Sequence, residues 1–423
     1  MVTYIHAADL HLDAPFVGLS KSLIKSEPLA KELKLATFKA LDRLEKFCLE
    51  QKPDFLLLAG DLTNSEEQSI RARLRLVSLC EHLRACDIPV FIIHGNHDPK
   101  LETFKSITFP DNVTIFGSEV EVAKVEKQGE TIALIYGVSH AKRGDNRNLS
   151  SFFKRDPSLP KVLQLGLMHT ALKNLGSQDE AQPTSLKELK ATGLDAWALG
   201  HIHKPTLVQD KEPMVLYAGS LQGLNCDEPS EHGCYLVKAW MEEDTWQFKP
   251  SFHSLAPVIF QSLELNLSEM VSLEQVLHAL EQRLEDLRGT LPPNCRLGIV
   301  KIILQGATPL WRELQGKGEE LKEALELDLT ATPPLFISQI ETELKSTINV
   351  DTYLQRDDLL GYCLNLAKQL ESQDSKALDF ISKTLNPLFG HSQLKKILPP
   401  LEASDLDSLL KDAAKLCISK LED

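Results

Sequence analysis

The hydrophobic pattern over the first hundred residues predicts alternating strands and helices. Short apolar runs that stop at polar residues indicate buried strands, and apolar positions that recur every three or four residues indicate helices between them. The first three runs are Val2–Ala8, Phe55–Ala59 and Val90–Ile93, and a helical pattern separates each run from the next. Ser65, with Gln68 in the capping-box position, is the predicted N cap of the second helix. This order predicts βαβ units and a largely buried sheet.

The pattern changes twice further along the chain. Shorter strands follow one another from Val113 to Ala239 and predict a second sheet packed on the first, with the polar stretch His140–Pro160 as a surface excursion. After Ala256-Pro257 a helix and several strands predict a small α+β unit, and from about Val350 the pattern is helical. The predicted fold class is therefore α/β, with a two-sheet sandwich flanked by helices, a small α+β capping domain and a helical C-terminal region. The predicted domains are residues 1–256, 257–348 and 349–423.

Composition narrows the class of protein. A chain of 423 residues with 43% hydrophobic and 25% charged residues is typical of a globular protein of two or three domains. The N-terminus lacks a basic region, so no signal peptide is expected, and no apolar run is long enough to span a bilayer. Eight scattered cysteines without a Cys-x-x-Cys pair favour a reducing cytoplasm. The net charge of −14 argues against a protein that coats nucleic acid by itself.

Ligand-type side chains follow five of the predicted strands. They are Asp9, His11, Asp61, Asn96, His97, His169, His201 and His203. Strands of α/β sheets bring their carboxyl ends to one edge, so these side chains are expected to converge. Any one of them alone is more simply a turn residue or a hydrogen-bonded histidine. Five such corners in one chain predict a metal site, in which three or four ligands per ion and a shared aspartate would use all of them but one.

The order of these motifs resembles the calcineurin-like metallophosphoesterases. The chain contains Asp-x-His, Gly-Asp, Gly-Asn-His-Asp, a lone histidine and Gly-His-x-His in that sequence. Within that superfamily, the segment from His6 to Phe16 is similar to bacterial DNA-repair exonucleases of the SbcD/YhaO type. The resemblance extends from Val2 to Lys238 and implies a two-sheet metallophosphoesterase sandwich.

The resemblance also implies a role for each site residue. One ion would be held by Asp9, His11 and His203, and the other by Asn96, His169 and His201. Asp61 would bridge the two ions. His97 would be catalytic, as a proton donor or transition-state stabiliser outside the coordination sphere, and Asp98 would orient it by a hydrogen bond.

The implied cofactor is a pair of divalent metal ions. Imidazole and oxygen ligands without a thiolate suit Mn²⁺, Fe²⁺ or Zn²⁺ better than an all-oxygen Mg²⁺ site, and the family favours Mn²⁺. The implied function is a two-metal DNA exonuclease that works in DNA repair with an SMC-like ATPase of the SbcC kind. Two alternatives stay open, namely a phosphoesterase acting on small molecules or phosphoproteins, which the acidic charge favours, and a binding scaffold for the ATPase.

The predicted partners are DNA, the coiled-coil ATPase and a second copy of the chain, with no membrane. Two helical stripes near the C-terminus are the predicted ATPase-docking element, or else they pack on each other. Their apolar residues are Leu359, Cys363, Leu366 and Leu370, and Leu406, Leu409, Leu410, Ala413, Cys417 and Leu421. A small basic cluster of Lys142, Arg143 and Arg147 is either a solvated loop or a contact to a phosphate backbone.

Overall fold

Fifteen strands are seen in the computed structural model, which describes residues 1–16, 27–64, 69–99, 107–173, 181–325, 331–347, 350–370, 383–384, 411–418 and 421. They are β1 (Val2–Ala7), β2 (Phe55–Ala59), β3 (Val90–Ile93), β4 (Val113–Ile115), β5 (Glu121–Lys127), β6 (Glu130–Val138), β7 (Leu163–His169), β8 (Ala196–Gly200), β9 (Thr206–Gln209), β10 (Met214–Tyr217), β11 (Gly233–Glu242), β12 (Thr245–Ser254), β13 (Val258–Asn266), β14 (Leu297–Thr308) and β15 (Leu335–Ser346).

The helices of the described residues lie mainly between these strands. They are α1 (Glu27–Gln51), α2 (Ile70–Arg84), α3 (Leu186–Ala191), α4 (Leu273–Thr290), α5 (Trp311–Leu314), α6 (Gly318–Ala324) and α7 (Leu359–Leu370), with a further helical stretch at residues 411–418. Ser69, rather than the predicted Ser65, is the N cap of α2, and its hydroxyl accepts a hydrogen bond from the backbone N–H of Ala72. Ser65 and Gln68 lie outside the described residues. No helix in the described ranges has both the length and the apolar character needed to cross a membrane.

The two larger sheets are both mixed. The first has the order β12-β11-β1-β2-β3-β4, with β1 to β4 parallel and β11 and β12 antiparallel to their neighbours. The second has the order β5-β6-β7-β8-β10-β9, with a parallel centre of β6, β7, β8 and β10. A third sheet of three strands has the order β13-β14-β15. The predicted fold class is confirmed.

Each central strand has apolar cover on both faces. In β2, Leu56 and Leu58 belong to a core cluster with α1 and α2, whereas Phe55 and Leu57 belong to a second cluster with strands of the other sheet. Successive side chains of a strand point to opposite faces, so a strand covered on both faces requires a continuous apolar run. This explains why the central strands could be recognised from their sequence.

The predicted surface excursion at residues 140–160 is only partly exposed. A single turn of 3₁₀ helix, Ser150–Phe152, leads to Phe153, which is fully buried. The ring centroid of Phe153 lies 4.8 Å from that of Trp197, on the outer face of the second sheet. The prediction of a surface position was wrong for Phe153, because one buried ring beside the exposed Phe152 leaves no periodic pattern.

The chain divides into two compact units that alternate along the sequence. The first comprises Met1–Leu263, Gln282–Ile302 and Glu326–Gln339, and the second comprises Glu264–Glu281, Ile303–Leu325 and Ile340–Asp423. The domain boundaries near residues 256 and 348 stay predictions, because neither unit is one continuous segment.

The two C-terminal helical stretches of the second unit pack on each other. Leu360 and Leu364 of α7 form a buried cluster with Ala414 and Ile418. The two helical stretches therefore contact each other through Leu360 and Leu364, which lie beside the predicted stripe, whereas the stripe residues Leu359 and Leu366 are exposed. Leu406, Leu409 and Leu410 lie outside the described residues.

Candidate metal centre

Loops that follow parallel strands of both sheets meet at one place in the first unit. Asp9 and His11 follow β1, Asp61 follows β2, Asn96 and His97 follow β3, His169 ends β7, and His201 and His203 follow β8. Every residue of the predicted site therefore lies at the carboxyl end of a parallel strand. Their donor atoms form two neighbouring groups.

The first group of donor atoms contains two imidazoles and a carboxylate. The Nε2 atoms of His11 and His203 are 3.2 Å apart, and Nε2 of His203 lies 3.8 Å from Oδ1 of Asp9. Ligand atoms of these three residues all lie within 4.8 Å of one another. This spacing would allow all three to bind one ion.

The second group surrounds the side-chain oxygen of Asn96. Its Oδ1 lies 3.0 Å from Nε2 of His169 and 3.3 Å from Nδ1 of His201. Oδ2 of Asp61 is 3.2 Å from Nε2 of His169 and 3.9 Å from Nε2 of His11, so this carboxylate reaches both groups. Asp9 also lies within 4.8 Å of the ligand atoms of Asp61 and His169. Both aspartates thus lie between the groups, and the bridging role of Asp61 stays a prediction.

The protonation pattern of His169 fits a bound cation. Its Nδ1 lies 2.9 Å from the carbonyl oxygen of Ala59, which can only accept, so Nδ1 carries the proton. In the neutral ring, Nε2 then directs a lone pair towards the oxygens of Asp61 and Asn96. Three acceptors facing one another repel, and positive charge between them removes that repulsion, either as a proton on Nε2, which the raised pKa of His169 favours, or as a metal ion. The nitrogen and oxygen donors, with no thiolate among them, fit a pair of divalent ions.

Several of these residues have strained backbones. The φ angles of Asp9, His11, Asp61 and His201 are 50°, 40°, 50° and 97°, in the left-handed region that side chains with a Cβ disfavour. Each such residue costs on the order of 1–3 kcal/mol, and such strain is concentrated at functional sites. We infer that these loops are shaped for the position of their side chains rather than for their own stability.

Two glycines allow close packing behind the donor atoms. A Cβ at Gly95 would overlap the carboxylate of Asp61, and a Cβ at Gly200 would overlap the carbonyl oxygen of Ala59 and lie 2.8 Å from Nδ1 of His169. A larger residue at either position would therefore displace a candidate ligand.

The electrostatics concentrate negative charge at Asp61. Burial by itself raises the pKa of the Asp61 carboxyl, but the charge and hydrogen bond of His169 hold it well below its usual range. Burial lowers the pKa of His169, and the charge and hydrogen bond of Asp61, with the charge of Asp9, raise it to about 9. Burial raises the pKa of Asp9 to about 6 and lowers that of His11 to about 4. Positive charge is therefore favoured next to Asp61.

Asp98 does not have the predicted role. Its carboxylate accepts hydrogen bonds from the backbone N–H groups of Asp61, Leu62 and Gly95, at 3.1, 2.8 and 2.8 Å. Among the described contacts, none joins it to the imidazole of His97. The turn after β3 directs Asp98 towards the loop after β2, so it fixes two ligand-bearing loops instead of orienting His97.

His97 lies beside the donor groups but outside them. Its ring centroid is 5.2 Å from that of His11, with the planes at 81°, and its backbone N–H donates to Oδ1 of Asp61 at 2.8 Å. Among the described residues, His97 belongs to neither group of converging histidine and carboxylate ligand atoms. Its side chain is half-buried, so it can face a substrate.

One residue that contacts a candidate ligand was not predicted from the sequence. Glu228 lies 3.2 Å, by its Oε1, from Nδ1 of His203. No local signal in the sequence indicates it, because Glu228 is 25 positions from His203 and follows no strand-end motif. The contact is created by the tertiary fold.

Comparison with known proteins identifies the family. The calcineurin-like phosphoesterase family matches residues 2–205, and the middle domain of metallophosphoesterase YhaO matches residues 260–345. The "Uncharacterized metallophosphoesterase YhaO" of Bacillus subtilis (strain 168) is 33% identical over 328 residues, which cover 77% of each chain. The chain belongs to the calcineurin-like metallophosphoesterases. The resemblance found in the sequence is confirmed, and this family uses a dimetal centre.

This metallophosphoesterase also resembles archaeal proteins named "DNA double-strand break repair protein Mre11". That of Saccharolobus solfataricus is 25% identical over 52% of this chain and 54% of the relative. That of Aeropyrum pernix is 22% identical over 55% of this chain and 56% of the relative. The similarity to Mre11 therefore spans about half of each protein.

Proposed function

We propose that this metallophosphoesterase is a DNA exonuclease that hydrolyses phosphodiester bonds at a two-metal centre. The observation that carries the proposal is the arrangement of the donor atoms in two groups reached by Asp61, with His97 beside them and uncommitted to either. The relatives named for DNA double-strand break repair favour DNA as the substrate. DNA repair in the reducing cytoplasm is the setting we propose, and all eight cysteines are free, which is in keeping with it.

The proposed cofactor is a pair of Mn²⁺ ions, with Fe²⁺ or Zn²⁺ also suited to the donors. Such a pair would activate water and neutralise charge on the attacking and leaving oxygens. Asp9, His11 and His203 would hold one ion, and Asn96, His169 and His201 the other, with Asp61 shared between them. His97 would donate a proton or a hydrogen bond to the phosphate undergoing cleavage.

A second candidate function is hydrolysis of small phosphate esters or phosphoproteins. It is favoured by the net charge of −14, which disfavours DNA binding. It is also favoured by the ion pairs of Arg147, one of the three residues of the basic cluster, because they leave less positive charge for a phosphate backbone. The Arg147 guanidinium pairs with Asp145 at 2.8 Å and with Glu119 at 3.3 Å, so its charge is already compensated. DNA binding by this chain would then depend on a basic partner surface.

A substrate comparison tests the choice. With Mn²⁺, the purified protein is expected to shorten end-labelled duplex or single-stranded DNA in steps and to cleave a generic phosphodiester slowly. Chelation of the metal should abolish both reactions. Cleavage of the small ester or of a phosphopeptide without any shortening of DNA would favour the second candidate. Metal binding without hydrolysis of any substrate would favour the other alternative, a scaffold for the ATPase.

We also propose that α7 docks a coiled-coil ATPase. Leu359, Tyr362 and Leu366 occur at helical spacing on α7 and are 66%, 70% and 42% exposed, although their neighbours Leu360 and Leu364 are buried. An exposed apolar stripe of this kind is suited to helix-in-groove packing against another helix. A basic surface on this ATPase would supply the positive charge that binds DNA phosphates and that the acidic chain lacks. The homodimer stays a prediction of the sequence.

Charged substitutions on this stripe should separate docking from folding. Because both side chains are exposed, the double change Tyr362→Glu and Leu366→Glu is expected to abolish co-purification with the ATPase and to leave the unfolding temperature within a few degrees. Leu207→Glu, at a leucine of β9 that is 43% exposed, is the matched control. Full retention of the ATPase by the double variant would mean that it binds elsewhere.

A further inference from the structure

Glu228 contacts the candidate ligand His203 on the side away from the other donor atoms. Nδ1 of His203 is 3.2 Å from Oε1 of Glu228, whereas Nε2 faces His11 and Asp9. A carboxylate can only accept, so the contact puts the proton on Nδ1 and leaves the lone pair on Nε2. Histidines that bind metals typically donate their other N–H in this way, which fixes the tautomer and the ring orientation.

The carboxylate of Glu228 is itself held in place by its own loop. The side-chain amide of Asn225 donates to Oε1 at 2.8 Å, and the backbone N–H of Leu224 donates to Oε2 at 3.1 Å. The Glu228 side chain is only 15% exposed. With His203, these bonds engage both carboxylate oxygens, so the group has a defined position without any metal contact of its own.

The loop from residue 222 to residue 232 is fixed within the first unit at both ends. The side chain of Gln222 donates to the carbonyl of Val258 at 2.7 Å, and the backbone N–H of Val258 donates to Gln222 at 3.2 Å. The backbone N–H of Ser230 donates to the carbonyl of Phe260 at 3.1 Å. His232 links the hydroxyl of Ser220, at 2.8 Å, to the carbonyl of Glu228, at 3.1 Å. Glu228 is therefore rigidly connected to β13.

We propose that Glu228 is a positioning residue for the metal centre. It holds the imidazole of His203 in the tautomer and direction that the ion of the first group requires, and its loop ties that ligand to β13. The inference rests on the proposed assignment of His203 as a ligand. Among the described contacts, Glu228 touches one donor residue, His203 of the first group. Its loss should therefore weaken the binding of that ion and leave the binding of the ion held by Asn96, His169 and His201 unaffected.

The test is a Mn²⁺ titration of the full chain. Binding is measured by calorimetry and by the electron paramagnetic resonance signal of free Mn²⁺. Glu228→Ala is expected to weaken one of two Mn²⁺ sites by about 10–100-fold and to leave the other unchanged. Glu228→Gln keeps an oxygen acceptor and should recover part of the loss. Glu231→Ala removes an exposed carboxylate of the same loop and should bind both ions as the unchanged protein does.

His203→Ala separates the two levels of the proposal. If His203→Ala loses one site but Glu228→Ala and Glu228→Gln bind both ions normally, Glu228 has no positioning role. If His203→Ala itself binds two ions normally, the ligand assignment fails instead. Should Glu228→Ala unfold, the glutamine variant decides: weakening of one site supports the proposal, and weakening of both sites or of neither contradicts it.

Discussion

His97→Ala is expected to lose turnover by on the order of 10²-fold or more while it keeps both metal ions. A group that gives a proton to the leaving oxygen, or stabilises charge there, contributes to the rate and not to metal affinity. The arrangement supports this separation, because the ring of His97 lies beside that of His11 but outside both donor groups. Its structural contact to Asp61 comes from the backbone N–H, which alanine retains.

The measurement pairs kcat on a small phosphodiester with metal content by elemental analysis. His82→Ala is the control, since it removes an exposed imidazole of α2 that pairs with Glu45 and does not belong to the donor groups. The control should keep most of its turnover. If His97→Ala loses an ion together with its activity, then His97 is a ligand and its assignment as the catalytic group is wrong.

Asp61→Asn is expected to lose metal more severely than Asn96→Ala. Oδ2 of Asp61 reaches His11 and His169, one from each donor group, so the change removes negative charge from both ions at once. Asn96→Ala removes one neutral oxygen from the second group only. An amide in place of the Asp61 carboxylate would also place N–H donors near imidazole nitrogens and the backbone N–H of His97.

Metal content after dialysis against Mn²⁺ checks this prediction. The unchanged protein should hold two equivalents, Asn96→Ala should keep the first-group ion, and Asp61→Asn should leave neither ion at full occupancy. Thermal unfolding in the presence of chelator serves as the control. All three proteins should then show a cooperative unfolding transition, which shows that the substitutions did not unfold the chain. Two full equivalents in Asp61→Asn would contradict a shared carboxylate.

The local hydrophobic pattern could predict those strands and helices whose burial is uniform along their length. Phe55–Ala59 was predicted as a strand with the bounds that the structure has, because both of its faces are covered and each residue must be apolar. The edge strand β12 (Thr245–Ser254) was not predicted. Its residues are mostly half-buried and include Pro250, which an edge strand tolerates, so no clean period remains.

The sequence by itself determined the buried strands and the ligand-type residues at their ends, because both depend on neighbours in the chain. The family resemblance was recognised from the order of the same residues, and the calcineurin-like phosphoesterase family matches residues 2–205. Only the tertiary structure decided which group each polar side chain reaches. Asp98 binds the backbone of two loops instead of His97, and Glu228 meets His203 across 25 positions of sequence. Such contacts depend on how loops of different strands turn towards one another in space, and no local period of the sequence records that direction.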